Sequence, residues 1–291
     1  MEYVLTCGKY SAKVNSMGAE LVSFSDGEKE YIWTGDPEFW NGHNPNLFPV
    51  IGRLKNGTVA FDGVRYEMPK HGFARKREFE LLSKTEDSIS LIINEDEDSK
   101  KAFPFAFSFI VTHRIFEGGF ETVYTAKNND TKTLYCNIGG HPGINLSALN
   151  ANTVEGCKLI FNKVENPTVW YCDENYFVRD DFVRTDILNN TDTIVCTQEM
   201  FAGDAIMIGN LSSTKVRLES PEGLGVEMDF TGYPVMAFWT PPAKYAPFLC
   251  LEPWYGLPCK TFESGEFSEK PFAIKLCSGE EKAVTYSVKI V

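Results

Sequence analysis

An all-β fold, a large antiparallel β-sandwich with few short helices, is predicted by three features of the 291-residue chain. Apolar and polar residues alternate with a period of two from end to end. Turn signals interrupt the alternation at hairpin spacing, and no long stretch carries the 3.6-residue period of an amphipathic helix. Many strands without crossover helices must bury their apolar faces sheet on sheet.

The alternating stretches are residues 10–14, 88–93, 107–115, 215–218 and 283–291. Between them lie Ser25-Asp26-Gly27, Lys55-Asn56-Gly57, Phe61-Asp62-Gly63, Asn128-Asn129-Asp130 and Ser220-Pro221-Glu222-Gly223, residue types that accept the left-handed or fixed backbone angles of tight turns. The acidic-then-basic run 94–101 is read as a solvated hairpin loop. No linker, composition step or internal repeat divides the chain, so 1–291 is expected to be one domain.

Composition narrows the function. Hydrophobic residues make up 43% of the chain and aromatic residues 13%, enough for a large packed core. A formal net charge of −12 argues against nucleic-acid partners and anionic membranes, both of which select clustered Lys and Arg. No basic n-region with an apolar run opens the chain, and no apolar segment approaches membrane-spanning length. A cytoplasmic protein, monomer or homodimer, is expected. The eight cysteines never form Cys-x-x-Cys and read as free, mostly buried thiols.

Three segments place ionisable residues among glycine, proline and aromatics: Asn44-Pro45-Asn46-Leu47-Phe48-Pro49-Val50-Ile51-Gly52-Arg53, Pro69-Lys70-His71-Gly72-Phe73-Ala74-Arg75 and Phe248-Leu249-Cys250-Leu251-Glu252-Pro253-Trp254-Tyr255-Gly256. A fourth, Gly139-Gly140-His141-Pro142-Gly143-Ile144-Asn145, carries one of only four histidines. Glu252 and His141 each precede a proline, whose ring excludes the α-helical conformation for the residue before it. Both side chains are thereby held on extended backbone. Alternation puts Phe248, Cys250 and Glu252 on one face, where an apolar setting raises a carboxyl pKa and suits general acid–base work. The glycine pair before His141 permits close approach of backbone or ligand. His71 also borders a glycine. Arg53 reads equally as a ligand for substrate and as half of a structural ion pair.

NPNLFPVIGRL, PKHGFAR, GGHPGIN, DAIMI and LCLEPWYGLP, in this order and across most of the chain, resemble the aldose 1-epimerase (mutarotase) family, and more closely its short bacterial LacX-like, galactose-mutarotase-like branch. The resemblance implies a β-supersandwich with a sugar site across one sheet, and interconversion of the α and β anomers of an aldohexose. It implies Glu252 as general base on the C1 hydroxyl and His141 as general acid on the ring oxygen. His71 and Arg53 would bind and orient the sugar, with Asp204 on its hydroxyls. Trp254, and after it Phe73, are the aromatic candidates for stacking on the sugar, core filling being the other reading of each. Ring opening needs one acid and one base, so no cofactor and no metal is expected.

The longer members of the family continue the first histidine motif as a glycine pair, whereas His71 here is followed by Gly-Phe-Ala-Arg-Lys-Arg. That departure bears on the substrate. The string Arg75-Lys76-Arg77 fits a phosphorylated sugar, as in hexose-6-phosphate mutarotases, or an exposed strand edge. The edge is preferred for so acidic a chain. Two other readings remain: a carbohydrate-binding or sugar-sensing protein without turnover, and a lyase or hydrolase on the same sandwich.

Overall fold

The computed structural model describes residues 1–179 and 187–291. Two antiparallel sheets dominate it. The larger has nine strands, in the order Thr191–Val195, Lys158–Glu165, Lys215–Glu219, Gly225–Asp229, Glu281–Ile290, Gly119–Asn128, Phe107–Phe116, Ser88–Asn94 and Glu80–Lys84. The smaller runs Ile138–Gly139, Phe248–Tyr255, Val235–Trp239, Ile206–Gly209 and Thr168–Trp170, with Gly143–Asn145 also paired to Phe248–Tyr255. Glu2–Cys7, Tyr10–Asn15 and Glu20–Ser25 form a separate three-stranded meander. The all-β sandwich expected from the sequence is the architecture found, and each alternating stretch is a strand.

Sheet packs on sheet. Tyr124, Val216 and Val288 of the larger sheet share one core with Phe238, Leu249 and Leu251 of the smaller, and the rings of Phe161 and Phe238 meet across it, 6.2 Å between centroids. Turn chemistry is local: Asp62 (φ 51°) and Gly63 (φ 77°) close the two-residue hairpin in which Phe61 faces Val64, the left-handed pair that such a turn demands.

The run 94–101 departs from expectation. It does join two hairpin strands, but Glu97–Ala102 is a helix, the single α-helix among the described residues. Asp96 caps it, accepting from the Ser99 backbone N–H while Ser99 Oγ accepts from Asp96 N–H. Acids then fall in its first turn and lysines in its last, as the helix dipole favours. No helix among the described residues is long and apolar enough to cross a membrane.

Strand Phe248–Tyr255 positions the site because both of its faces are covered. Leu249 and Leu251 enter the main core. On the opposite face Phe248 and Cys250 pack with Trp33 and Ala246, and Trp254 packs with Leu47, Ile51 and Met207. Glu252 lies on that second face between Cys250 and Trp254.

Candidate active site

The four segments singled out in the sequence are joined backbone to backbone. Leu47 bridges to Gly139, Phe48 bridges to Gly72, and Gly139 pairs with Trp254. The antiparallel register does the rest. Gly139 faces Trp254 and Gly143 faces Cys250, so His141 falls opposite Glu252 between them. The prolines after each interrupt neither side of this junction: Gly140 N–H donates to Pro253 O and Leu251 N–H to Pro142 O, each at 3.1 Å. A residue pair directly opposed on neighbouring strands brings its side chains together. His141 Nε2 lies 3.1 Å from Glu252 Oε2.

The glycines before His141 are explained by rings rather than by ligand. A Cβ on Gly139 would lie 2.6 Å from Trp254 Cδ1, and one on Gly140 would lie 2.7 Å from Tyr286 Cε1. Both strands can close on the neighbouring aromatics only without side chains there.

His141 and Glu252 open into a cavity of about 280 Å³, also lined by Arg53, His71, Asp204 and Trp254. That volume is near the lower end for small-molecule sites and suits one sugar ring better than a chain of them. His71 holds a left-handed backbone (φ 63°), a strained state for a non-glycine residue. Its Nδ1 accepts from Gly52 N–H at 3.2 Å, which leaves the ring proton on Nε2. Its ring meets the His141 ring edge to face, 5.7 Å between centroids. Asp204 Oδ1 accepts from Trp239 Nε1 at 2.7 Å, and the Arg53 guanidinium lies over the Tyr176 ring at 4.4 Å. Arg53 therefore has an aromatic platform in place of the ion pair considered for it.

Two aromatic expectations divide. Trp254 is on the cavity wall, although only 2% exposed. Phe73 is not: it packs into the core against Phe48, Phe103 and Phe107, with ring centroids at 6.1, 6.4 and 6.0 Å. The aromatic residues that sequence reasoning missed are Trp40, Trp239 and Tyr176. Trp40 stacks on the His141 ring at 5.0 Å and Trp239 meets its edge at 5.8 Å. Trp239 ends the strand in which Ala237 faces Glu252, a register that is visible only in the structure. Trp40 and Tyr176 lie outside the strands and had no signal in the sequence. The basic string also divides. Arg75 belongs to the 3-10 turn Ala74–Lys76 and lines the cavity, Lys76 points to solvent, and Arg77 pairs with Asp96. It is not a strand edge.

Burial governs the electrostatics. Glu252, 1% exposed, is pushed well above the ordinary carboxylate range by loss of water and then by the charge of Asp204. Lys70 and the Trp254 indole oppose the shift. His141 is pulled down to about 3 by burial and by the positive charges of Lys70 and Arg75. His71 is likewise held well below its usual value, by burial first, then by Lys70, His141 and Arg75. Burial thus disfavours charge on both partners of the pair. His141 Nδ1 has no hydrogen-bond partner within the protein, so it is available to a hydroxyl group of a ligand. His141, Cys250 and Glu252 are the one trio of metal-ligating types that converges among the described residues, with ligand atoms within 4.8 Å of one another. Acid–base chemistry at the pair does not call on it.

The architecture is that of galactose mutarotase-like folds. A galactose mutarotase-like protein from Lactobacillus casei ATCC 334 superposes with a TM-score of 0.93 over the full length of both chains at 27% identity. A galactose mutarotase related enzyme from Lactobacillus acidophilus gives 0.91 at 25% identity, covering 100% of this chain and 97% of that one. Among curated proteins, protein LacX of Lactococcus lactis subsp. lactis is 29% identical over 97% of this chain and 96% of its own. The aldose 1-epimerase family model matches residues 1–275, and the chain belongs to that family.

Proposed function

We propose that the protein is an isomerase, an aldose 1-epimerase that opens and recloses the hemiacetal ring of an aldohexose through Glu252 and His141. The observation that carries this reading is the register: two strands set an acid and a base directly opposite each other, 3.1 Å apart, at the buried end of a sugar-sized cavity.

Opening the ring removes a proton from the C1 hydroxyl, forms the C1 carbonyl, breaks the bond from C1 to the ring oxygen and delivers a proton to that oxygen. Rotation about C1–C2 and the reverse transfers close the other face. The pair supplies both transfers from a fixed stock of protons. In the ionised arrangement, Glu252 carboxylate accepts from the C1 hydroxyl and His141 imidazolium donates to the ring oxygen. The neutral arrangement favoured by burial holds the same number of protons and differs by one transfer across the 3.1 Å contact. The His71 Nε2–H and Arg53 donate to sugar oxygens, and Asp204 Oδ2 accepts from hydroxyls while Oδ1 fixes Trp239. The Trp254 ring lies against the ring face.

Polarimetry on anomerically pure glucose and galactose tests this. Acceleration of mutarotation that is lost in Glu252→Gln is expected. Saturable sugar binding with no acceleration would instead establish a sugar-binding protein on this fold.

A further inference from the structure

Cys250 has no part in the proposed reaction, yet the fold puts it beside the two groups that do. Cys250 and Glu252 are two residues apart on the strand Phe248–Tyr255, so both side chains leave the same face. The register that sets His141 opposite Glu252 sets Gly143 opposite Cys250, which carries the segment 141–143 across both. One imidazole, one thiol and one carboxylate converge there, all buried, with ligand atoms within 4.8 Å of one another. Among the described residues no other three His, Cys, Asp or Glu side chains do so.

The donor types decide which ion fits. Thiolate and imidazole select zinc over magnesium and calcium, which take oxygen ligands. A tetrahedral zinc, bound at about 2.0–2.3 Å, holds its ligand atoms roughly 3.3–3.7 Å apart. The 3.1 Å contact between His141 Nε2 and Glu252 Oε2 is already close to one such edge. The widest separation of the trio has to close by about 1 Å, which side-chain torsions can supply. His141 and Glu252 also line the cavity, so the fourth position of the ion would face it and take water or a sugar hydroxyl.

Charge balance favours such a complex. Burial disfavours an isolated charge on Glu252 or on His141. A dication held by one thiolate, one carboxylate and one neutral imidazole carries no net charge, so the same burial does not oppose it. On the cavity wall Lys70 and Arg75 repel an entering cation, and Asp204 attracts it.

We propose that His141, Cys250 and Glu252 form an inhibitory zinc site, in which the ion ligates the acid and the base and so withdraws both from the sugar. The inhibition rests on the epimerase reading; the binding of the ion does not.

The test titrates zinc and cobalt(II) into the untagged chain carrying Cys277→Ser, which removes the exposed thiol. Calorimetry should show zinc bound, with magnesium unable to compete, and cobalt should develop the near-ultraviolet absorption of a thiolate ligand. Cys250→Ala should abolish that absorption and weaken zinc by at least about tenfold. Glu252→Gln should weaken zinc alike, and it serves if Cys250→Ala does not fold. Cys172→Ala, which removes the thiol on the cavity wall, should change neither reading. In polarimetry, saturating zinc should slow mutarotation by about 10²–10⁴, the worth of the groups it ligates, with EDTA restoring the rate. No zinc bound, zinc binding unchanged in Cys250→Ala, or a cobalt signal that vanishes in Cys172→Ala instead would overturn the site. Zinc bound through Cys250 while mutarotation runs at full rate would overturn the inhibition. Zinc bound through Cys250 in a chain that epimerises no sugar, even when metal-free, supports the metal site and sinks the epimerase reading alone.

Discussion

Glu252 and His141 titrate as a coupled pair, and the protons they hold together are what a pH profile reads. Both limbs of the kcat/KM profile belong to the pair. On the acid side activity falls when His141 gains a second proton while Glu252 keeps its own, and burial places that event at about 3. On the alkaline side it falls when Glu252 loses the last proton, well above the 4.5 of an ordinary glutamate. A bell with limbs spread apart is therefore expected, and limbs at ordinary glutamate and histidine values would contradict the burial argument. Substitution gives a second prediction. Glu252→Gln keeps shape and removes proton transfer, so kcat should fall by about 10²–10⁴ with sugar binding largely retained, and His141→Asn should behave alike. If Glu252→Gln kept more than about a tenth of the rate, the base would have to be another carboxylate, with Asp204 the next candidate. At this scale the sequence showed Glu252 and His141 because proline marks both of them. It did not separate Trp254 from Phe73, since an aromatic beside glycine or proline lines a cavity or fills a core depending on contacts distant in sequence.

The strands that create the pair depend on missing atoms. Gly140→Ala would press a methyl group against Tyr286, and a loss of about 1–3 kcal/mol, typical of overpacking, is expected in denaturant unfolding. Gly203→Ala is the matched control, because nothing lies within 4 Å of its added Cβ. Equal midpoints for the two variants would show that the tight ring contact costs nothing. Alternation revealed the strands of the nine-stranded sheet that have one buried face and one wetter face. It said less about Phe248–Tyr255, whose seven consecutive buried residues erase the period, and nothing about the register that sets His141 against Glu252. The helix Glu97–Ala102 was hidden for another reason. Its start signal is an Asp96-Ser99 box inside a run of charges that resembles a solvated turn.

Across the whole molecule, His113 is fully buried away from the cavity, with Nδ1 on Thr122 Oγ1 at 3.0 Å and Nε2 on Ala19 O at 2.8 Å. Burial lowers its pKa to about 4 from 6.5. The unfolded chain takes up this proton first, so the neutral histidine contributes stability that is full above pH 6.5 and lost as pH falls toward 4, on the order of 3 kcal/mol. Unfolding of wild type and His113→Gln between pH 7 and 4 should show a steeper acid loss in wild type, and parallel curves would refute the assignment. The backbone ladder between 138–145 and 248–255 has a further consequence. The spacing of Glu252 and His141 is a property of that ladder, whose strand Phe248–Tyr255 also fills the main core, so the proposed acid–base pair has no separate moving part to fail first. Heat should inactivate the protein only as the sandwich itself melts, with turnover and near-ultraviolet dichroism lost along one curve. Activity that disappears many degrees before the melt would mean that a looser element, not the paired strands, limits the reaction.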